Sequence, residues 1–186
     1  MLRPVLAFAL VATLAGCAKE SAPLQQAYTP PPVAEAPPAP WCAKPAELTA
    51  FSVAALKSNL MVTAISCRAD DKYNAFVTRY RPALLQQEKV TDGYFNRNDR
   101  RRWETARDDY ITRLANAQSQ RATVLGSLYC QYNLGQFDEV LALQKPDQIG
   151  QFAATRSERL PQAMKFSECP AGSEPAAAPA TRKASR

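Results

Sequence analysis

The stretch "NDRRRWETARDDYITRLANAQSQRATVLGSLYCQYNLG", residues 98–135, contains the clearest helical pattern in the chain. Its apolar side chains recur at steps of three, four or seven residues, which places them on one face of an α-helix. Asn98 or Asp99 is a suitable N-cap, and Gly135 suits a left-handed stop. The pattern predicts one helix of more than about 30 residues, roughly 50 Å long if straight. Its apolar positions are Trp103, Ala106, Tyr110, Leu114, Ala117, Val124, Leu128 and Tyr132.

Two further long helices are predicted upstream. Residues 46–67 contain neither proline nor glycine and predict the first helix. A second helix is expected over about residues 72–96, with Asp70 and Asp71 as candidate N-caps. Pro82 should kink or restart it, because proline removes an internal hydrogen bond. The apolar positions are Leu48, Phe51, Ala55, Leu56, Leu60 and Ile65 in the first helix and Tyr73, Phe76, Val77 and Tyr80 in the second.

The C-terminal third of the chain predicts shorter helices. Residues 137–143 and 147–159 each show a helical pattern, and Pro146 separates them. Few β-branched alternations of the kind that marks a strand occur anywhere in the sequence. The predicted fold is therefore all-α, an up–down bundle of three principal helices plus one or two short C-terminal helices.

The placement of proline predicts the domain boundaries. Eight of the fifteen prolines fall in residues 18–45, and three more fall in residues 170–186. Segments of this composition favour polyproline II or disorder rather than a packed core. We expect a Pro-rich linker over 17–45, a helical domain over 46–169 and a disordered tail over 170–186. The linker is either a plain spacer or itself a docking segment for an aromatic groove.

Charge and residue usage exclude several classes of function. The chain carries a net charge of +6, and residues 46–169 carry +3, from 17 Lys+Arg against 14 Asp+Glu. This is weaker than the concentrated basic charge of nucleic-acid binders, so no nucleic-acid partner is expected. Histidine, the commonest general base and metal ligand, is absent. Because no Cys-x-x-Cys spacing occurs either, neither a metal nor a cofactor is expected.

The N-terminus has the pattern of an export signal. Residues 5–14, "VLAFALVATL", form an apolar run behind the positive Arg3 and are too short to span a bilayer. "LAGC", residues 14–17, resembles the lipobox of bacterial envelope lipoproteins. The resemblance implies that residues 1–16 are removed, that Cys17 carries a diacylglyceryl thioether, and that its new amino group is acylated. Two or three acyl chains would anchor the protein stably to a membrane.

Two readings of the cleavage site remain open. If Cys17 is lipidated, the residue after it is expected to determine the destination. In the lipoproteins that this N-terminus resembles, aspartate at that position retains the protein in the inner membrane. Here the residue is Ala18, so the analogy favours the outer membrane, facing the periplasm. In the other reading, Gly16 and Ala18 form an ordinary cleavage site that releases a soluble protein from Lys19. Either cut removes Cys17 from the count of cysteines that can pair.

The four remaining cysteines predict two disulfides, because an export signal leads to an oxidising compartment. If residues 46–67 form one helix, its ends lie about 30 Å apart, whereas a disulfide needs Cα atoms within about 7 Å. This makes a Cys42–Cys67 bond improbable. In an up–down–up bundle the first and third helices end on the same side. We therefore predict the bonds Cys67–Cys130 and Cys42–Cys169.

A cluster of arginines beside a tryptophan is the sharpest candidate for a binding surface. It lies at the predicted start of the long helix, where cations oppose the helix dipole. Arginine and tryptophan are also enriched among the energetically dominant residues of protein interfaces. The alternative is that the tryptophan belongs to the core and the arginines are solvated. The candidate partner-binding residues are Arg97, Arg100, Arg101, Arg102, Trp103 and Arg107.

The sequence therefore predicts a non-enzymatic envelope lipoprotein whose helical domain binds cell wall or a protein assembly. In architecture it is similar to the helical pilotins of secretion systems, which carry an outer-membrane channel subunit. Residues 56–67, "LKSNLMVTAISC", and 73–82, "YNAFVTRYRP", resemble small secreted helical proteins of proteobacteria, and this resemblance implies no mechanism.

The alternative function is a carboxylate-based hydrolase acting on cell-wall glycan or peptide. The adjacent pairs Asp70–Asp71 and Asp108–Asp109 are the candidates. Neighbouring residues of a helix point about 100° apart, so neither pair is set up to flank one bond. No catalytic residue is therefore predicted.

Overall fold

Six α-helices follow one another in the computed structural model, which describes residues 35–170 except for the side chain of Glu158. Three are long and three are short, which confirms the predicted all-α fold of three principal helices. The helices are α1 (Pro45–Cys67), α2 (Asp70–Asn98), α3 (Trp103–Leu125), α4 (Ser127–Asn133), α5 (Gly135–Leu141) and α6 (Ile149–Ala154), with 3-10 turns at Pro146–Gln148 and Ser157–Arg159. The predictions for the leader, for Cys17 and for the end of the tail lie outside the described residues.

Helix α1 is the central element of the domain. It contacts α2, α3, α4 and α6, and buried side chains such as Phe51, Leu56 and Leu60 lie on all its sides. A helix that is apolar all round is typical of a buried position. By length and composition alone α1 could cross a membrane, but more than half of its most apolar part is buried inside the domain, as in any core helix. Of the apolar positions predicted for this helix, only Ile65 is largely exposed, at 70%.

Helix α2 continues through Pro82, which was expected to kink or restart it. Because proline has no backbone N–H, the helix lacks one hydrogen bond at Pro82. Pro82 is exposed, so its ring does not displace side chains of the core. The helix begins at Asp70, two residues before the predicted start. Its N-cap is Ala69, so Asp70 and Asp71 lie in the first turn, where carboxylates favour the helix dipole.

The predicted helix of more than 30 residues is wrong, because it breaks at Gly126. This glycine has φ 54° and ψ −129°, a conformation that side chains disfavour, and it separates α3 from α4. The break turns Tyr129 inward to a small cluster with Val62 and Leu125. Beyond it, Gly135 begins α5 instead of ending a helix. Val124 and Tyr132, which the unbroken pattern placed on the apolar face, are 59% and 53% exposed.

The chain segments at the two ends of the domain run side by side. Residues 35–44 and 163–170 form a parallel pair, which we call the clasp, with bridges Pro38–Lys165 and Ala43–Glu168. The nitrogens of Ala39 and Ala43 donate to the carbonyls of Lys165 and Ser167, each at 2.8 Å. Residues 35–44 therefore belong to the folded domain, although their proline content predicted that they are part of the linker.

Both predicted disulfides are present. Cys42–Cys169 closes the clasp, with Cα atoms 4.9 Å apart, and Cys67–Cys130 joins the end of α1 to α4, with Cα atoms 5.6 Å apart. The pairing follows from the bundle geometry, although Cys130 lies beyond the Gly126 break and not on α3 itself.

Candidate interaction surfaces

The structure divides the six predicted partner-binding residues into two groups. Arg97 belongs to the first group, because its guanidinium is used inside the domain. It forms a two-pronged ion pair with the buried Glu47, with Nη2–Oε2 at 3.0 Å, and lies 5.5 Å from the ring centre of Tyr94. The Glu47 carboxylate also accepts a 2.7 Å hydrogen bond from the backbone nitrogen of Lys44. This ion pair ties the start of α1 to the end of α2.

Trp103 and Arg107 also contact the domain itself. Trp103 is half-buried and packs against the core from the first turn of α3. The Arg107 guanidinium lies 5.3 Å from the Trp103 ring centre and binds Asp108 at 3.0 Å and Asp92 at 3.3 Å. The hydrogen bond to Asp108 raises the pKa of Arg107. Arg107 is thus already neutralised by carboxylates.

The second group is the turn between α2 and α3, which we call the arginine turn: Arg100, Arg101 and Arg102. All three are exposed, and none forms an ion pair with any residue in the range 35–170. The turn is fixed through its backbone, because the Arg102 nitrogen donates to the Asp99 carboxylate at 3.2 Å. Three uncompensated guanidinium groups are therefore presented together on a defined turn.

A shallow groove lies beside the arginine turn. It has a volume of about 290 Å³ and forms where the clasp, through Pro38 and Trp41, passes over α3. Arg102 and Arg113 both line it, together with the carboxylate of Asp109. Asp99 lines the groove as well, so its two arginines are matched by two carboxylates.

A longer apolar trough lies between the three principal helices. It has a volume of about 350 Å³ and is lined by Ala50, Val53, Ala54, Met61, Leu84 and Ile111. Four charged side chains lie at its margin in two ion pairs, Lys57–Glu88 and Arg107–Asp92. Tyr73 also lines it, and burial raises the pKa of its phenol, which stays protonated well above neutral pH. The sequence pattern does not predict this trough; of its lining residues, only Tyr73 was expected on an apolar helix face and only Arg107 at a binding surface.

The carboxylate pairs considered for hydrolysis do not meet in a cleft. Asp70 and Asp71 are exposed in the first turn of α2, and Asp108 is held by Arg107. The fold does bring two other pairs of carboxylates to a shared cavity: Glu88 and Asp92, one turn apart on α2, line the trough, and Asp99 and Asp109 line the shallow groove. Glu88 is paired with Lys57, and Asp92 is paired with Arg107.

No cluster of three or more potential metal ligands occurs among residues 35–170. Comparisons with protein-family models, with curated proteins and with solved structures find no match to this chain.

Proposed function

We propose that this chain is a lipid-anchored protein of the bacterial envelope whose helical domain binds an anionic partner and catalyses no reaction. The observation that supports this most directly is the arginine turn, with three exposed guanidinium groups that have no ion-pair partner within residues 35–170. Arginine recognises carboxylates through two parallel hydrogen bonds. The partner is then either carboxylate-bearing peptidoglycan or an acidic surface of an envelope protein, including a pilotin-like cargo.

Neutralising the arginine turn should abolish this binding. We expect R100Q/R101Q/R102Q to lose most of its co-sedimentation with purified peptidoglycan at low salt, because exposed ionic contacts are strong only at low ionic strength. For a protein partner the measurement is in-cell crosslinking followed by mass spectrometry, and the triple variant should lose the crosslinked partner that the unmodified protein holds.

The matched control is R81Q/K89Q/K145Q, which removes the same charge from exposed cations elsewhere. It should bind like the unmodified protein. Equal binding by both triple variants, to peptidoglycan and in cells, would disprove the role of the arginine turn.

Binding is favoured over hydrolysis by the placement of the carboxylates in the trough. Glu88 and Asp92 are the acidic pair that could act together there, and each is already paired with a cation, Lys57 and Arg107 respectively. In glycoside hydrolysis the two carboxyl groups flank the bond that is cleaved, whereas Glu88 and Asp92 lie one turn apart on the same helix. Release of soluble fragments from peptidoglycan by the purified protein, lost in E88Q, would instead support the hydrolase.

The membrane location rests on Cys17. We expect Cys17→Ser to move the protein from the membrane fraction to the soluble fraction, because the variant has no sulfur to carry the acyl chains. The control is Cys42→Ser, which removes a cysteine of the clasp and leaves Cys17 in place. Persistence of the Cys17→Ser variant in the membrane fraction would favour a different anchor.

A further inference from the structure

The apolar trough is elongated along α1. Its lining on this helix extends from Ala50 to Met61, which is about 16 Å along the helix axis. The same trough is lined by α2 and α3 on its other sides, through residues such as Leu84 and Ile111. Its length is comparable to that of a fully extended medium-length alkyl chain.

The charges at the margin of the trough are satisfied within the protein. Lys57 of α1 is paired with Glu88 of α2, and Arg107 of α3 is paired with Asp92 of α2. Because no unpaired charge remains at this margin, the part of a ligand that lies in the trough is expected to be uncharged. The lining between the pairs is mostly aliphatic and methionine side chain, which favours aliphatic surface, and it includes three uncharged polar residues, Ser58, Gln87 and Thr91.

The size of the cavity also separates a small ligand from a protein partner. A volume of about 350 Å³ is within the usual range of about 300–1,000 Å³ for small-molecule sites. A stable protein interface instead buries about 800 Å² on each partner. Ile111, at 43% exposure, is the one apolar lining residue of the trough that is largely exposed and could extend such a contact.

From these observations we propose that the trough binds the aliphatic chain of a single-chain amphiphile, such as a medium-chain fatty acid. The alkyl chain lies along α1 between Ala50 and Met61. The head group lies in solvent, beyond the Lys57–Glu88 and Arg107–Asp92 ion pairs at the margin of the trough. This site is separate from the arginine turn, so it does not depend on the proposed anionic partner.

Methionine methyl NMR tests the site directly. The chain has three methionines, of which Met61 lines the trough and Met164, itself buried, lines the separate groove beside the arginine turn. The protein is the unlipidated Cys17→Ser chain, so that neither its own anchor nor detergent competes. Dodecanoate, added below its micelle concentration, should shift the Met61 signal and leave the Met164 signal in place. An unchanged Met61 signal at saturating dodecanoate would overturn the proposal.

Filling the trough should block binding. Ala54 is half-buried in the trough, so the longer side chain in Ala54→Leu occupies the ligand volume, and dodecanoate affinity should fall at least tenfold. The control, Ala46→Leu, adds the same atoms to an exposed position in the first turn of α1 and should bind normally. Circular dichroism of both variants checks that they are folded. If folded Ala54→Leu binds like Ala46→Leu, the trough is not the site.

Chain length provides an independent measurement. Each buried methylene should tighten binding about fourfold, so dodecanoate should bind roughly 15-fold more tightly than decanoate. Affinity that is independent of chain length would contradict burial of the chain. R100Q/R101Q/R102Q should bind dodecanoate normally, which distinguishes failure of this site from failure of the proposed function.

Discussion

Two neighbouring tyrosines in the aromatic cluster differ in how their hydroxyl groups are satisfied. Tyr94 and Tyr110 are both fully buried and both contact the ring of Phe51, at 4.9 and 5.2 Å between ring centres. The Tyr94 hydroxyl donates to the Trp41 carbonyl at 2.8 Å. The Tyr110 hydroxyl has no hydrogen-bond partner among the atoms of residues 35–170. A buried hydroxyl without a partner reduces stability.

This difference predicts opposite effects of the same substitution. Tyr110→Phe should raise the free energy of unfolding by about 1 kcal/mol, because it removes an unsatisfied polar group and keeps the ring. Tyr94→Phe should lower it by about 1 kcal/mol, because the Trp41 carbonyl then loses its donor. Urea unfolding followed by circular dichroism measures both. A loss of stability in Tyr110→Phe would mean that its hydroxyl has a partner in solution, such as a buried water.

Single-residue roles were the hardest feature to predict from the sequence. Arg97 was grouped with its neighbours because they are close in the sequence, yet its partner Glu47 is 50 positions away. Such a contact depends on how two helices are placed side by side, and local pattern contains no information about it. The exposed arginine turn, by contrast, follows from local features alone, because a charged turn between helices stays in water.

At the scale of elements, the break at Gly126 is a requirement of backbone conformation. Its φ of 54° with ψ of −129° is a conformation that other residues adopt only with strain. Gly93 provides the natural comparison, because it lies in the interior of α2, is exposed, and has open space around the position of a Cβ atom.

Alanine at these two glycines should therefore act in opposite directions. Gly126→Ala should destabilise the domain by about 1 kcal/mol or more, through strain at the α3–α4 junction. Gly93→Ala should stabilise it by about 0.5–1 kcal/mol, since alanine favours the helix and restricts the unfolded chain. Thermal unfolding of both variants is the measurement. Equal midpoints would show that the junction relaxes into an ordinary conformation.

The number and order of the long helices could be predicted, whereas the break and the trough could not. Helical spacing continues across Gly126 from Val124 to Leu128, so periodicity alone gives no sign of the interruption. The break serves a distant contact, the packing of Tyr129 against Val62. The trough was missed for a related reason. Since α1 is apolar on every side, its sequence cannot show which side the neighbouring helices leave uncovered.

For the whole molecule, the two disulfides constrain the chain to different extents. Cys42–Cys169 spans 127 positions and Cys67–Cys130 spans 63. Both were predicted correctly. The length of the first helix excluded a bond between Cys42 and Cys67, and the bundle topology placed Cys67 and Cys130 at the same end. The pairing therefore depended on global geometry, which the sequence indicated well, and not on local detail.

Removing either disulfide should destabilise the domain by about 2–5 kcal/mol. Because the Cys42–Cys169 loop is about twice as long, C42S/C169S should cost about 0.6 kcal/mol more than C67S/C130S in the chain-entropy account. Guanidinium unfolding of the two double-serine variants gives the comparison. A larger loss in C67S/C130S would show that native contacts around Cys130, rather than loop length, set the order.

The position of the clasp also determines how the domain responds to mechanical force. All six helices lie between Cys42 and Cys169, inside one covalent loop. A pull between residues 35 and 170 would pass through the sulfur–sulfur bond and bypass the helices. Tension applied between the two ends of the chain would straighten only the segments outside the loop. The helical bundle would keep its fold under a load that would unravel the same chain in its reduced form.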